Sequence, residues 1–521
     1  MMSHHISQAH ATDRWWCAAF GALCLILVAP LLVVDVPLLG DYPNHLARLF
    51  VLASLPDDSV LAGFYAAHWS IIPNLALDII APPLMQVLPV HAVGRLLIAV
   101  SVLLPVFGTV AYSAVLGGRW WSLGVGLIAY NSCLLYGFLN FSISIGIALL
   151  LAATWLRWRE PRPTLAIALC TFGAPILFAC HLMGLVFLGT LLAGDELSKL
   201  YRNRSFPFWT AAIGRGAVLL LVGVIPSILY AVSALGQLGG DAEFLPAGQK
   251  LRQLATTFVN YNWTLDMTAA SVAIAVPVIS VIMKLGKAPT PSAISIALLL
   301  ILFLGAPFAW KGTYGLDTRF AIMFGFMLFA GFVPARWPVW LSRVSTGVVL
   351  LVFIARMALL TYAWTAHRTD LDDLRRVMAP VQPGQAVYVV EAGLSEASSY
   401  WAGNPGWRRL SNGVRTDEHI GALALIEHRA YWPFLFDNPS QQPIETLGPY
   451  QTLATRVGNL PTAAQAAVAD VCGFDYALVT GADAVPDLPA ARFQLLTRSG
   501  FAALYKIVRC AQESNEPPLP R

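Results

Sequence analysis

Apolar residues dominate the first two thirds of the chain and arrive in long, barely interrupted runs. A bilayer crossing needs about 20 mostly apolar residues. Runs of that kind cover 15–39, 92–117, 120–137, 139–157, 209–235, 267–285, 290–310, 320–335 and 340–366. A further run, 163–197, is too long for one helix and carries His181 near its middle, with Gly184 soon after. Splitting it into two short spans that turn near His181 brings the expected total to about eleven.

The pattern changes after residue 366. Asp370–Met378 reads as an amphipathic helix, and Gln382-Pro-Gly breaks it. Ala386–Val390, Phe474–Thr480, Phe493–Thr497 and Ala502–Val508 read as strands, with turns at Gly481 and Gly500. Thr462–Asp470 is Ala-rich and helical, and Ser514–Arg521 reads as frayed. The expected fold is therefore an α-helical polytopic membrane protein. Residues 1–366 form its transmembrane domain, with a first outer loop at 40–91, and 367–521 form a soluble α/β domain.

Charge sharpens that boundary. Only 12% of the chain is charged and 57% is hydrophobic, against about 25% charged in soluble domains. Of the 62 charges, 29 lie from Arg368 onward. The net charge of +4 comes without a basic run, which argues against a nucleic-acid partner. The run 15–39 is too long for a signal-peptide core and reads as a retained first span. Lys and Arg set orientation. With the N-terminus inside, inner loops and span ends hold 13 of them, and outer ones before the tail hold six. An odd number of spans then places the tail outside, with the first loop and the loop around Lys311–Arg319. Cys17, Cys24, Cys133, Cys170 and Cys180 lie in apolar stretches, whereas Cys472 and Cys510 lie in the tail, where export would allow a disulfide between them without requiring one. No nucleotide-binding glycine motif occurs.

Chemistry concentrates where the first span ends, in Gly40-Asp41-Tyr-Pro-Asn-His45-Leu-Ala-Arg48. Asp41, His45 and Arg48 fall on one helical face. Ionisable groups at membrane depth are costly and commonly functional. Two readings stay open for Asp41: a general base, or a cap on the helix that follows. Apolar Leu46, Phe50 and Leu52 suggest that this helix lies in the interface, with a solvated face as the plain alternative. Asp78 sits among apolar residues downstream, and His181 marks the break between two spans. Lys311, Asp317 and Arg319 share a short outer loop, where a cation suits a lipid phosphate. Two ligands at i, i+4 do not make a metal site, so neither a divalent metal nor any other cofactor is supported. Asn140 reads as a turn residue, and His428, Tyr431 and Trp432 as packing at a helix end.

This arrangement resembles the GT-C superfamily of membrane glycosyltransferases, which take sugars from polyprenyl-phosphate donors. The resemblance rests on a first span running into an outer loop that begins Gly40-Asp41, on interfacial helices after it, on the span count and on the outer α/β domain. It implies a sugar transfer from a polyprenyl-phosphate-linked donor to an extracytoplasmic glycan, lipid or protein acceptor, in a bacterial inner membrane with a periplasmic tail. It further implies Asp41 as general base with His45 orienting it. Arg48, Asp78, His181, Lys311, Asp317 and Arg319 would then serve substrate or lipid phosphate. Many members carry a second acid two residues later, where this chain has Pro43. The alternatives are a transporter or flippase for a lipid-linked glycan, for which Arg356 inside the last span is the main pointer, or a non-catalytic assembly protein.

Overall fold

A computed structural model describes residues 2–202, 208–392, 407–481 and 487–508. The chain is an α-helical membrane protein. Seven helices among the described residues are long and apolar enough to cross a bilayer: Arg14–Leu32, Val90–Leu116, Leu139–Trp158, Pro163–Cys180, Trp209–Val232, Trp263–Ile282 and Val339–Met378. The other four expected spans take other forms. Residues 120–137 hold a 3-10 helix at Trp121–Leu127 and a single turn at Ser132–Leu135. Thr290–Gly305 and Leu316–Ala330 run for 16 and 15 residues. Leu182–Arg202 is long, but Asp195, Glu196, Lys199 and Arg202 interrupt its apolar character.

The helical break expected near His181 occurs at that residue. Its backbone is extended, between Pro163–Cys180 and Leu182–Arg202. Its Nδ1 accepts the Met183 N–H at 3.1 Å, so the imidazole satisfies one of the first free amides of the second helix.

Two compact units emerge, and they do not follow the chain order. One comprises 1–33, 71–76 and 96–361; the other comprises 34–70, 77–95 and 362–521. Small residues set close helix packing in the first unit. A Cβ on Gly108 would stand 2.7 Å from the Gly146 carbonyl oxygen, and one on Gly146 would stand 2.5 Å from the Leu104 carbonyl carbon. Helix association among apolar surroundings relies on such close approach. Two polar clusters are buried there. Asp266 pairs with Arg356. Glu196 receives Arg159 at 2.9 Å and also Arg215, while Lys199 meets Asp195 at 2.7 Å.

The second unit is built on a four-stranded sheet. In spatial order its strands are Val387–Glu391, Tyr476–Thr480, Ala502–Ile507 and Phe493–Ser499. The first pair is parallel, with Val389 opposite Leu478, and the others are antiparallel. Each strand lies within two residues of its expected place. Gly481 and Gly500 take positive φ at the turns, the conformation that glycine adopts without steric cost. Helix Ala463–Val468 opens on a capping box between Thr462 and Gln465. Helix Val339–Met378 contains both the expected last span and the amphipathic segment, unbroken over 40 residues. Cys472 is disulfide-bonded; its candidate partner Cys510 and the expected frayed end 514–521 lie outside the described residues.

Residues from the first loop are integral to this second unit. Tyr65–Ala67 pairs antiparallel with Ile444–Thr446. Asn44 donates to the Phe434 carbonyl at 2.8 Å and accepts the Phe436 N–H at 2.9 Å. Helix Tyr42–Ser54 packs on Ile420–Ala422 and Leu423–His428. An interfacial helix would keep one face in lipid and one in water. This helix buries Tyr42, Leu46, Ala47, Arg48, Leu49 and Val51 instead. The solvated-face alternative for Arg48 is thereby replaced by a buried one, because the C-terminal segment covers it.

Candidate active site

Asp41 immediately precedes helix Tyr42–Ser54 and occupies its N-cap position. Its side chain makes no capping hydrogen bond there. The carboxylate turns to His419, whose Nε2 stands 3.2 Å from Oδ1. Of the two readings left open by the sequence, the cap is therefore not what this side chain does. His419 comes from the segment leading into Ile420–Ala422, the turn on which the first-loop helix packs. Burial opposes a charge on His419. The hydrogen bond that His419 donates to Asp41, the Asp41 charge, and the charges of Glu418 and Glu391 outweigh that, so the imidazole pKa lies above its ordinary value.

His45 lies one helical turn on. Its Nδ1 stands 3.0 Å from Arg48 Nη1, and its ring lies 5.4 Å from that of Phe436. Burial, with the Arg48 charge, pushes its pKa down to about 3 despite Asp41, so His45 is neutral. Arg48 Nε donates to Asp78 Oδ1 at 2.7 Å, and Nη2 reaches Oδ2 at 3.3 Å. That two-pronged pair is buried on both sides. The expected stripe of Asp41, His45 and Arg48 is thus present. Its internal links run from His45 to Arg48 to Asp78, while the imidazole within hydrogen-bond reach of Asp41 is that of His419.

A cleft of about 950 Å³ lies in the same unit, lined by Glu391, Arg409, Arg415, His419, Phe434 and Phe436 among others. Arg415 holds Asp417 through two contacts of 2.9 Å and lies 3.0 Å from Glu391. Burial raises the Glu391 pKa to about 8. Arg415 does not prevent this, because Asp417 already occupies its charge and adds repulsion along with Glu418. Farther along the unit, Glu427 takes His91 at 3.0 Å and Arg375 at 2.8 Å, and its pKa falls to about 2 against its own burial.

The remaining expected site residues lie in the first unit. Arg319 is buried, with its guanidinium 4.9 Å from the Phe138 ring and 5.9 Å from that of Phe141, and it donates to the Tyr314 carbonyl. His181 meets Phe141 edge-on at 5.3 Å, so these two basic residues flank one ring. The Lys311 ammonium is taken up by the carbonyls of Gly236 at 3.1 Å and Leu235 at 3.5 Å. Asp317 is fully buried, accepts the Thr318 N–H at 2.8 Å and faces Lys250 at 3.7 Å. Asn140 donates to the Asn74 carbonyl at 2.7 Å. An apolar cavity of about 490 Å³, lined by Ile26, Trp120, Trp121, Trp337 and Phe353 among others, also belongs to this unit. Among the described residues, no three His, Cys, Asp or Glu side chains converge as a metal-holding group.

Sequence reading missed His419, Glu391 and Arg415. The dense run Arg415-Thr-Asp-Glu-His419 was the available signal. No protein-family model matches the chain, and no curated protein matches it.

Proposed function

We propose that this chain is a membrane glycosyltransferase. On this reading it moves a sugar from a polyprenyl-phosphate donor to an acceptor hydroxyl on the outer side of a bacterial inner membrane. The observation that supports it most is the contact between Asp41 and His419, made beside a cleft instead of as a helix cap. In the proposed reaction Asp41 takes the proton from the acceptor hydroxyl, and that oxygen bonds to the anomeric carbon as the bond to phosphate breaks. His419 holds Asp41 in place. Polyprenyl phosphate leaves without protonation, and its charge needs a fixed cation. The proposal needs an odd number of crossings, which keeps the tail on the side of the first loop.

The test is Asp41→Asn in membranes supplied with a radiolabelled polyprenyl-phosphate sugar. Loss of transfer at normal expression supports the reading, and transfer at the wild-type level overturns it. One observation favours a second reading. Asp266 and Arg356 form a buried ion pair between apolar helices, the kind of feature that marks transport pathways. A flippase would move a lipid-linked glycan across proteoliposomes whether or not Asp41 is intact.

A further inference from the structure

The cleft of the second unit carries charges of both signs. Glu391, Glu418 and Asp437 line it together with Arg409, Arg415 and His419. An anion such as phosphate would meet three acids, and a polycation would meet three basic groups. Arg415 has little charge left to offer, since Asp417 holds it from two sides. The lining therefore selects for hydrogen bonding over net charge.

Among the described residues, Glu391 Oε1 and His419 Nδ1 on this lining are buried without a hydrogen bond, while Arg415 Nη1 forms the 3.0 Å ion pair with Glu391 Oε2. Groups of this kind are costly when left unmet, and a ligand in the cleft would meet them. Arg415 donates, and a carboxyl or imidazole nitrogen donates or accepts according to its proton. A ligand hydroxyl, which does both, suits the two unmet atoms. Phe434 and Phe436 supply aromatic surface beside these polar groups, which suits the C–H face of a sugar ring. The volume of about 950 Å³ lies at the upper end of small-ligand pockets and accommodates more than one ring.

We infer that this cleft binds a neutral, polyhydroxylated ligand, a short glycan, which serves as the acceptor. The inference rests on the transferase reading for the word acceptor alone; the binding stands apart from it. His419 ties the two together, because it lines the cleft and touches Asp41 through Nε2. A hydroxyl held against His419 is thereby brought toward the proposed base.

The full-length protein in lipid nanodiscs, fluorescently tagged, is applied to an array of neutral, acidic and basic glycans. Binding should be confined to neutral glycans and should weaken at least tenfold in Arg415→Met. That variant strands Asp417 and Glu391, so Val414→Trp provides a second test. Val414 is an exposed residue of the same cleft, and the larger ring fills space without touching the ion pairs. Binding should also fall at least tenfold there, with an unchanged melting curve. Failure to bind any glycan, a preference for acidic glycans, or full binding by Val414→Trp would overturn the inference. The array needs no donor sugar, so its outcome is independent of the Asp41→Asn transfer assay. A chain that binds glycans while Asp41→Asn transfers normally would retain the cleft and lose the transferase.

Discussion

At the scale of single residues, the chemistry depends on how proton-carrying groups are held. His419 is expected to matter through Asp41. His419→Gln, which keeps a hydrogen-bonding side chain, should lower kcat for sugar transfer by about 10²-fold while leaving the KM of the donor close to its starting value; a rise in donor KM of that size would point to a donor-binding role. Glu391 and His419 both carry pKa values raised on folding. For such groups the stabilising protonated form is fully present below the unfolded pKa and is lost as pH rises through the folded one. His45, whose pKa falls to about 3 on folding, offsets Glu391 between about 4.5 and 6.5, so the second unit should weaken as pH climbs from about 6.5 toward 8. Glu391→Gln should flatten that slope, as thermal unfolding across this range would reveal. Arg48 behaves differently. Arg48→Met leaves Asp78 buried and unpaired, at a cost of about 3–5 kcal/mol, measurable as a lower melting temperature. Asp41, His45 and Arg48 were visible in the sequence as a polar stripe, and Asp78 as an acid among apolar residues. The partner of Asp41 was not, because no local periodicity links two residues so far apart.

Among the elements, those with short-range rules were the most legible. The tail strands follow β-branched and aromatic runs bounded by Gly481 and Gly500, and the break at His181 follows from a polar residue inside an overlong apolar run. Hydropathy misled at 120–137, where composition resembles a span. Gly124 and Gly126 there press against Phe329 and Phe353, and Asn131 caps a single turn, so the segment is tertiary filling instead of one straight helix. Hydropathy also cannot distinguish lipid from a protein neighbour, which is why helix Tyr42–Ser54 read as interfacial. Glycine contacts give the clearest element-level test. Gly146→Leu would drive a side chain into the backbone of the neighbouring helix and should destabilise by about 1–3 kcal/mol. Gly189→Ala, which meets open space, should be neutral or slightly stabilising in the same detergent melting assay.

For the whole molecule, the main result is that the second unit draws on both ends of the chain. Composition marks 367–521 as a soluble piece, yet 34–70 and 77–95 contribute to the same compact unit. The isolated segment 367–521 should therefore expose the surface that helix Tyr42–Ser54 covers, and should aggregate or bind a hydrophobic dye. Supplying residues 34–95 should restore a cooperative melt, whereas a monomeric, sharply melting 367–521 would show that the first-loop residues are dispensable.

The Asn44 contacts with Phe434 and Phe436 span about 390 residues. A ribosome adding 5–20 residues per second takes roughly 20–80 s to make that stretch. Until then Asp41 is already synthesised but has no His419 to meet. A nascent or prematurely terminated chain thus holds one half of the proposed site, and for that interval the first-loop helix lacks the C-terminal partners that bury it.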